Sequence, residues 1–202
     1  MSRLKELKSH LKRGSVYRRK HLDQWSKSVD RDLKVLINDG TLQKIAPGMY
    51  YYPSLSTFGP APAKEEELIK KYLDDSRFLL ISPNLYNRLG VGTTQLYNTR
   101  IVYNNKRHGE VMFGNRKFSF QRKPRFPSKI TTEFLAVDLV NNLDKLAEDS
   151  DLILEKLAGK LASLNMKSLK QSISSYGSVK AKRIFASLLR ETDYEHGHRL
   201  SS

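Results

Sequence analysis

The chain has 202 residues, 39% hydrophobic and 28% charged, with 36 Lys/Arg against 21 Asp/Glu and a net charge of +15. A chain of this size and apolar content can build a core, which excludes wholesale disorder, while the charge excess attracts polyanions, nucleic acid first among them. The absence of cysteine excludes disulfides, thiolate chemistry and cysteine-based zinc sites.

Leu4, Leu7 and Leu11 recur at helical spacing and predict a first helix within residues 1–14, ended by Gly14. Val16 and Tyr17 read as an extended linker, and residues 18–25 as a short second helix with Leu22 and Trp25 inward. Ser28 stands before Val29, Leu33, Leu36 and Ile37, which share one helical face. A third helix is therefore expected there, with the Ser28 hydroxyl as N-cap acceptor, Asp30 and Asp32 at the favourable end of its dipole, and Asn38-Asp39-Gly40 as a left-handed stop. Beyond Gly40 the pattern alternates: Leu42 and Ile45 fall in one strand, Pro47-Gly48 in a turn, and Met49 to Tyr52 in a second strand. Three helices followed by a hairpin is the order of a winged helix-turn-helix.

The stretch PSLSTFGPAPA, 53–63, holds three prolines and a glycine and reads as a linker. Beyond it the pattern predicts a helix over 63–73 with an acidic start at Glu65, Glu66 and Glu67, a strand over 78–81, and a short helix over 83–89 closed by Gly90. Further strands are expected at 99–103, 110–113 and 117–120, the last two joined by a turn at Gly114-Asn115-Arg116. From Thr131 the periodicity is helical, in segments around 134–140, 152–164, 169–173 and 184–189, and the tail EHGHRLSS is expected to fray. The fold class expected is α+β. A winged helix-turn-helix occupies 1–55, a linker 56–63, and an α+β domain 64–202, with a small, mostly antiparallel sheet and C-terminal helices.

Charge selects the candidate sites. Residues 1–60 hold 12 Lys/Arg against 5 Asp/Glu. Arg18, Arg19 and Lys20 open the second helix, and Lys27, Arg31 and Lys34 lie at or on the third, away from its apolar stripe. A reading helix presents such a face to the major groove, with Ser28, Arg31 and Lys34 as base readers and Gln43 or Lys44 of the wing at backbone or minor groove. A solvated or protein-facing surface is the competing reading, and Asp30 and Asp32 weigh on its side. A second basic block, 100–129, holds nine Lys/Arg against Glu110 alone. Its Arg100, Lys106, Arg107, Arg116, Lys117, Arg122 and Lys123 interleave with Tyr103, Phe113, Phe118, Phe120 and Phe126. Either these make a nucleic-acid platform, or the aromatics fill the core face of a sheet while the basic residues point to water.

Catalytic motifs are missing. There is no P-loop, HExxH or nucleophile elbow, and Gly90-Val91-Gly92 lacks the spacing of a dinucleotide fingerprint and reads as a turn. Glu65 to Glu67, Asp149 and Asp151 read as helix starts, and His196 and His198 as unliganded tail residues. No catalytic residue, metal or cofactor is expected. No apolar run approaches the roughly 18 residues of a membrane span, and the opening MSRLKELKSHLKRG lacks the apolar region of a secretory signal. A cytoplasmic protein without membrane contact is expected.

GSVYRRKHLDQ and DRDLKVLINDGTLQKIAPGMYYYP resemble the winged-helix start of the AbiEi-type antitoxins, the antitoxin halves of type IV bacterial toxin–antitoxin pairs. The likeness rests on Leu33, Leu36, Gly40, Leu42, Lys44, Ile45, Gly48, Tyr50 and Pro53. LLISPNLYNRLGVGTTQLYNTRIVYNN and the basic hairpin after it resemble the second domain of the same group, so the similarity spans roughly residues 14–160. The resemblance implies a cytoplasmic bacterial protein that binds double-stranded DNA at inverted repeats in its own promoter and represses it. It implies that the second domain opposes a nucleotidyltransferase-like toxin without a stable complex. A regulator of another operon is the alternative, and a nucleic-acid-acting enzyme a more remote one.

Overall fold

A computed structural model describes residues 3–93 and 96–199, with side chains from residue 4 to residue 190. The chain opens with α1 (Arg3–Ser9), which stops well short of Gly14, although Leu11 beyond it is still buried. Val16 and Tyr17, expected as a linker, form β1 (Val16–Arg18). Three residues are too few to display an alternating pattern, and the partner of this strand lies far along the chain. Next come α2 (Arg19–Leu22), α3 (Val29–Asn38), β2 (Gln43–Ala46) and β3 (Met49–Tyr51). β3 is the centre of an antiparallel sheet of order β1-β3-β2. The Pro47-Gly48 turn between β2 and β3 puts Gly48 at φ 68°, a conformation that glycine adopts without steric cost.

Side chains alternate across this sheet, and directly paired residues share a face. Tyr17 and Tyr50 are paired and face the helices, where Leu7, Leu22, Leu33, Leu36 and Leu42 complete the core. Val16 and Tyr51 are also paired and point the other way, with Met49, onto Leu68, Ile69, Phe113, Phe118 and Phe120 of the rest of the chain. Both faces of the sheet are therefore covered.

Residues 56–63, expected as a linker, largely belong to a hairpin. β4 (Ser54–Ser56) pairs antiparallel with β5 (Gly59–Ala61), and the Tyr51 hydroxyl donates to the Ala61 carbonyl at 2.9 Å. Prolines are tolerated here because a two-stranded ribbon leaves one edge of each strand without a partner to serve. Phe58, at the tip, is 100% exposed.

α4 (Glu65–Leu73) and β6 (Phe78–Ile81) lie where expected, and Pro83–Leu89 forms a 3-10 segment closed by Gly90 at φ 65°. β7 (Arg100–Asn104), β8 (Gly109–Phe113) and β9 (Arg116–Arg122) complete a second sheet of order β6-β7-β9-β8. Two of its pairings are antiparallel and β7–β9 is parallel. Alternation again divides the faces: Val102, Phe118 and Phe120 meet α4 and the first sheet, while Leu79, Ile81, Ile101 and Tyr103 turn to the helical side. The turn of the β8–β9 hairpin is bonded to the first sheet, Gly114 N–H donating to the Ile45 carbonyl at 2.8 Å.

The helical layer consists of α5 (Thr132–Asn141), α6 (Ser150–Leu161), α7 (Met166–Tyr176) and α8 (Val179–Arg199). Residues 134–140 of α5 are all buried, so it is a central helix enclosed on every side. Asp149 caps α6, accepting from Leu152 N–H at 2.9 Å, in keeping with its reading as a helix start. The tail expected to fray continues α8 as far as Arg199.

Candidate nucleic-acid interface

α3 buries Val29, Asp32, Leu33 and Leu36 and turns Asp30, Arg31, Lys34, Val35 and Asn38 outward. The entry to the helix differs from expectation. Ser28 holds the N-cap position, but its ψ of 36° is not the extended value that aims a hydroxyl at the first free amides, and its side chain makes no cap bond. Ser26 stabilises the entry instead. Its buried hydroxyl donates to the Asp32 carboxylate at 2.6 Å and accepts from Ser28 N–H at 3.0 Å. Asn38-Asp39-Gly40 ends the helix as expected, with Gly40 at φ 75° and the Asp39 carboxylate accepting from Thr41 N–H at 2.8 Å.

Lys27, Arg31 and Lys34 are exposed, and none makes an ion pair among the described residues. Val35, 42% exposed, gives this face an apolar member. Lys44 is paired with Tyr50 and so lies on the helix side of the sheet, at its edge. Gln43 is paired with Tyr51 and lies on the reverse side, apart from Lys44. The face thus collects Lys27, Ser28, Arg31 and Lys34, with Lys44 on the same side of the sheet.

Arg18, Arg19 and Lys20 are engaged elsewhere. The Arg19 guanidinium donates from Nε and Nη2 to the two oxygens of Asp30, both at 2.7 Å, and from Nη1 to Asp23 at 3.1 Å. This clamp holds the Asp30 carboxyl below the ordinary carboxylate range. Lys20 hydrogen-bonds Asp74, and Arg18 lies 3.9 Å from the same carboxylate. Lys20 foremost, then His21 and Arg18, hold Asp74 low as well. Asp74 ends α4 in the left-handed region at φ 54°, so these ion pairs tie α2 to the end of α4. Arg18, Arg19, Lys20 and Arg107 line a cleft of about 310 Å³ beside the Pro47-Gly48 turn.

In the second basic block the platform reading fails. Phe113, Phe118 and Phe120 are at most 2% exposed and pack against one another and Tyr72, so no base can stack on them. Most of the cations tie elements together. Arg100 and Arg116 meet Glu65 at the start of α4, and Arg116 also donates to the Ala63 carbonyl at 2.8 Å. Lys106 reaches Asp75 at 3.2 Å, Lys117 reaches Glu110 at 2.8 Å, and Arg107 lies over the Tyr72 ring at 4.6 Å. Arg122 is exposed, with no ion pair among the described residues.

Lys123 belongs to a cluster that the pattern of charges did not reveal. Asp138, on α5, is 1% exposed, and its two oxygens accept from the hydroxyls of Tyr86 at 2.7 Å and Tyr103 at 2.8 Å. Lys123 Nζ stands 3.8 Å from Asp138 Oδ1 and 4.0 Å from the centre of the Tyr103 ring. Burial pushes Asp138 up in spite of these partners and pushes Lys123 down; it raises both tyrosines too, reinforced by the neighbouring carboxylate. The signal was present in FLAVDLVN, where one acid interrupts a wholly apolar helix. A charge in such a place is retained only with partners.

Among the described residues no three His, Asp or Glu side chains gather as a metal site, and His196 and His198 lie outside the described side chains. No helix among the described residues is long and apolar enough to cross a membrane. In comparisons with known proteins, no family model matches the chain and no curated protein matches it.

Proposed function

We propose that this protein binds double-stranded DNA through residues 1–53, acting as a winged helix-turn-helix that lays α3 in the major groove with the β2–β3 hairpin as its wing. The observation that carries the reading is the outward face of α3, where Lys27, Arg31, Lys34 and Val35 are exposed and the three cations make no ion pair among the described residues, the nearby Asp30 being clamped by Arg19. An arginine pairs bidentately with guanine, lysines meet phosphates or guanine, and an apolar side chain meets a thymine methyl. The chain order α1-β1-α2-α3-β2-β3, with β3 central in its sheet, agrees with such a module. The resemblance of residues 14–160 to AbiEi-type antitoxins extends the proposal. The DNA is an inverted repeat in the protein's own promoter, and the protein opposes a nucleotidyltransferase-like toxin without holding it in a stable complex.

Fluorescence anisotropy with the upstream promoter fragment and a scrambled duplex tests the DNA reading. Tighter binding to the promoter at moderate salt is expected. Arg31→Ala should relax the preference by about 1–3 kcal/mol, and Lys27→Ala should weaken both duplexes alike. Equal affinity for the two duplexes would falsify sequence-specific binding. The antitoxin role is read from the adjoining reading frames: if one encodes a nucleotidyltransferase-like protein, co-expression with it is the test. Rescue of growth supports it, and repression without rescue leaves a regulator of transcription only.

A further inference from the structure

The helical half contains a recess built for negative charge, and none of its lining comes from residues 1–53. Lys123, Arg125 and Lys145 line an open cleft of about 330 Å³ with Asn142, Tyr176 and Ser178. Asp138 lies behind it, but its oxygens are occupied by two tyrosine hydroxyls, and the Lys123 ammonium stands beyond hydrogen-bond length from it. The three cations of the lining thus have one buried carboxylate behind them, which Lys123 meets as an ion pair at 3.8 Å. Asp144, the neighbouring exposed acid, is held by Lys180 at 2.9 Å.

The remaining valences of the lining define the ligand. Lys145 uses one of its three N–H donors on Asn142 Oδ1 at 3.0 Å, leaving two. Arg125 is exposed and makes no ion pair among the described residues. Two of the three lining amides are committed: Asn141 donates to the Tyr176 carbonyl and accepts from Ser178 N–H, and Asn142 donates to the Asp138 carbonyl, while Gln121 is the third. The walls thus offer charged donors together with the Gln121 amide and the Ser175 and Tyr176 hydroxyls, neutral groups that donate as readily as they accept and so do not by themselves select one base. The volume exceeds what a lone phosphate fills and lies at the small end of ligand pockets. A backbone phosphodiester carries one charge, whereas a terminal polyphosphate places several on adjacent groups, the arrangement that three cations around one recess match.

We propose that this cleft binds the polyphosphate of a free nucleoside di- or triphosphate through Lys123, Arg125 and Lys145, with little selection among bases. Titration calorimetry on the full chain tests it, using ADP, GDP, AMP, pyrophosphate and a short DNA duplex as probes. ADP, GDP and pyrophosphate should bind within a few-fold of one another, and AMP roughly ten-fold more weakly. Arg125→Gln removes an exposed charge that makes no ion pair among the described residues, whereas Lys145→Gln also removes a donor to the buried Asn142. The double variant Arg125→Gln/Lys145→Gln should lower ADP affinity about ten-fold or more, and Arg125→Gln alone should lower it several-fold while leaving the thermal unfolding midpoint in place. Lys123→Gln should do the same, with circular dichroism checking that its fold survives near Asp138. Absence of ADP binding to the unaltered chain overturns the proposal, as does equal affinity in the double variant. ADP displaced by the duplex and weakened by Arg31→Ala would place the nucleotide on α3. A loss confined to duplex affinity in the double variant would make the cleft a DNA contact. Either result defeats the nucleotide site, and the first leaves the DNA reading intact.

Discussion

Arg19 grips Asp30 with two arms of its guanidinium and Asp23 with the third nitrogen, so a residue that charge alone assigns to phosphate is spent within the fold. Asp30 itself sits on the outward side of α3, beside Lys34. Asp30→Asn should therefore free Arg19 and remove a repulsive charge. Affinity for random duplex should rise a few-fold, and the log–log salt slope should steepen by about 0.9 for one added phosphate contact. An unchanged slope would show that Arg19 never reaches DNA. A second residue-scale expectation concerns pH. Asp30 and Asp74 ionise below the ordinary carboxylate range, so their pairing contributes stability fully above that range and loses it as pH falls through their depressed pKa values. Asp138 has the opposite sign. Its raised pKa means that its charged form costs stability above that pKa, and the cost is relieved as pH falls through it toward the ordinary range. Urea unfolding from about pH 7 to about pH 4 should therefore favour the native chain progressively over Asp138→Asn. A constant gap between the two would mean that burial does not raise Asp138. Such residues are hard to read in sequence because pairing is tertiary: Arg19 and Lys20 look alike until their carboxylates are placed.

α3 was legible as an element, because four apolar positions at helical spacing and a left-handed stop are local signals. Its entry was not. Ser26 matters only because the fold buries Asp32 and leaves that carboxylate in need of a donor. Ser26→Ala should accordingly cost about 1–3 kcal/mol in urea unfolding. Ser28→Ala, which removes no cap bond, should stay within about 0.5 kcal/mol. The reverse order would restore Ser28 as the cap. β1 escaped notice because a strand of three residues has no period of its own, and the hairpin of β4 and β5 was hidden by prolines that usually mark a linker. The second sheet was legible, since its strands alternate and its Gly114 turn is local. Of the two readings of its aromatics, burial decided for the core.

At the scale of the whole molecule, the first sheet belongs to two cores. Val16, Met49 and Tyr51 pack on α4 and the second sheet, and Gly114 is hydrogen-bonded to Ile45 across the junction. Periodicity within residues 1–53 showed the first core, since its members are near in sequence, but it could not show the second, whose other members come from α4, β7, β8 and β9. Heating or urea should therefore melt the full chain in one transition, with near- and far-ultraviolet signals coincident. A separate early transition for residues 1–53 would mean that the shared core contributes little. The exposed tip at Phe58 has a consequence of another kind. Chain continuity there is dispensable to the degree that noncovalent packing holds the two sides. Cutting the backbone after Phe58 with chymotrypsin, or expressing the two pieces from separate genes, should yield a stable two-piece complex. The hairpin tip then becomes a point for splitting the protein into complementing halves, or for inserting a reporter without disturbing α3.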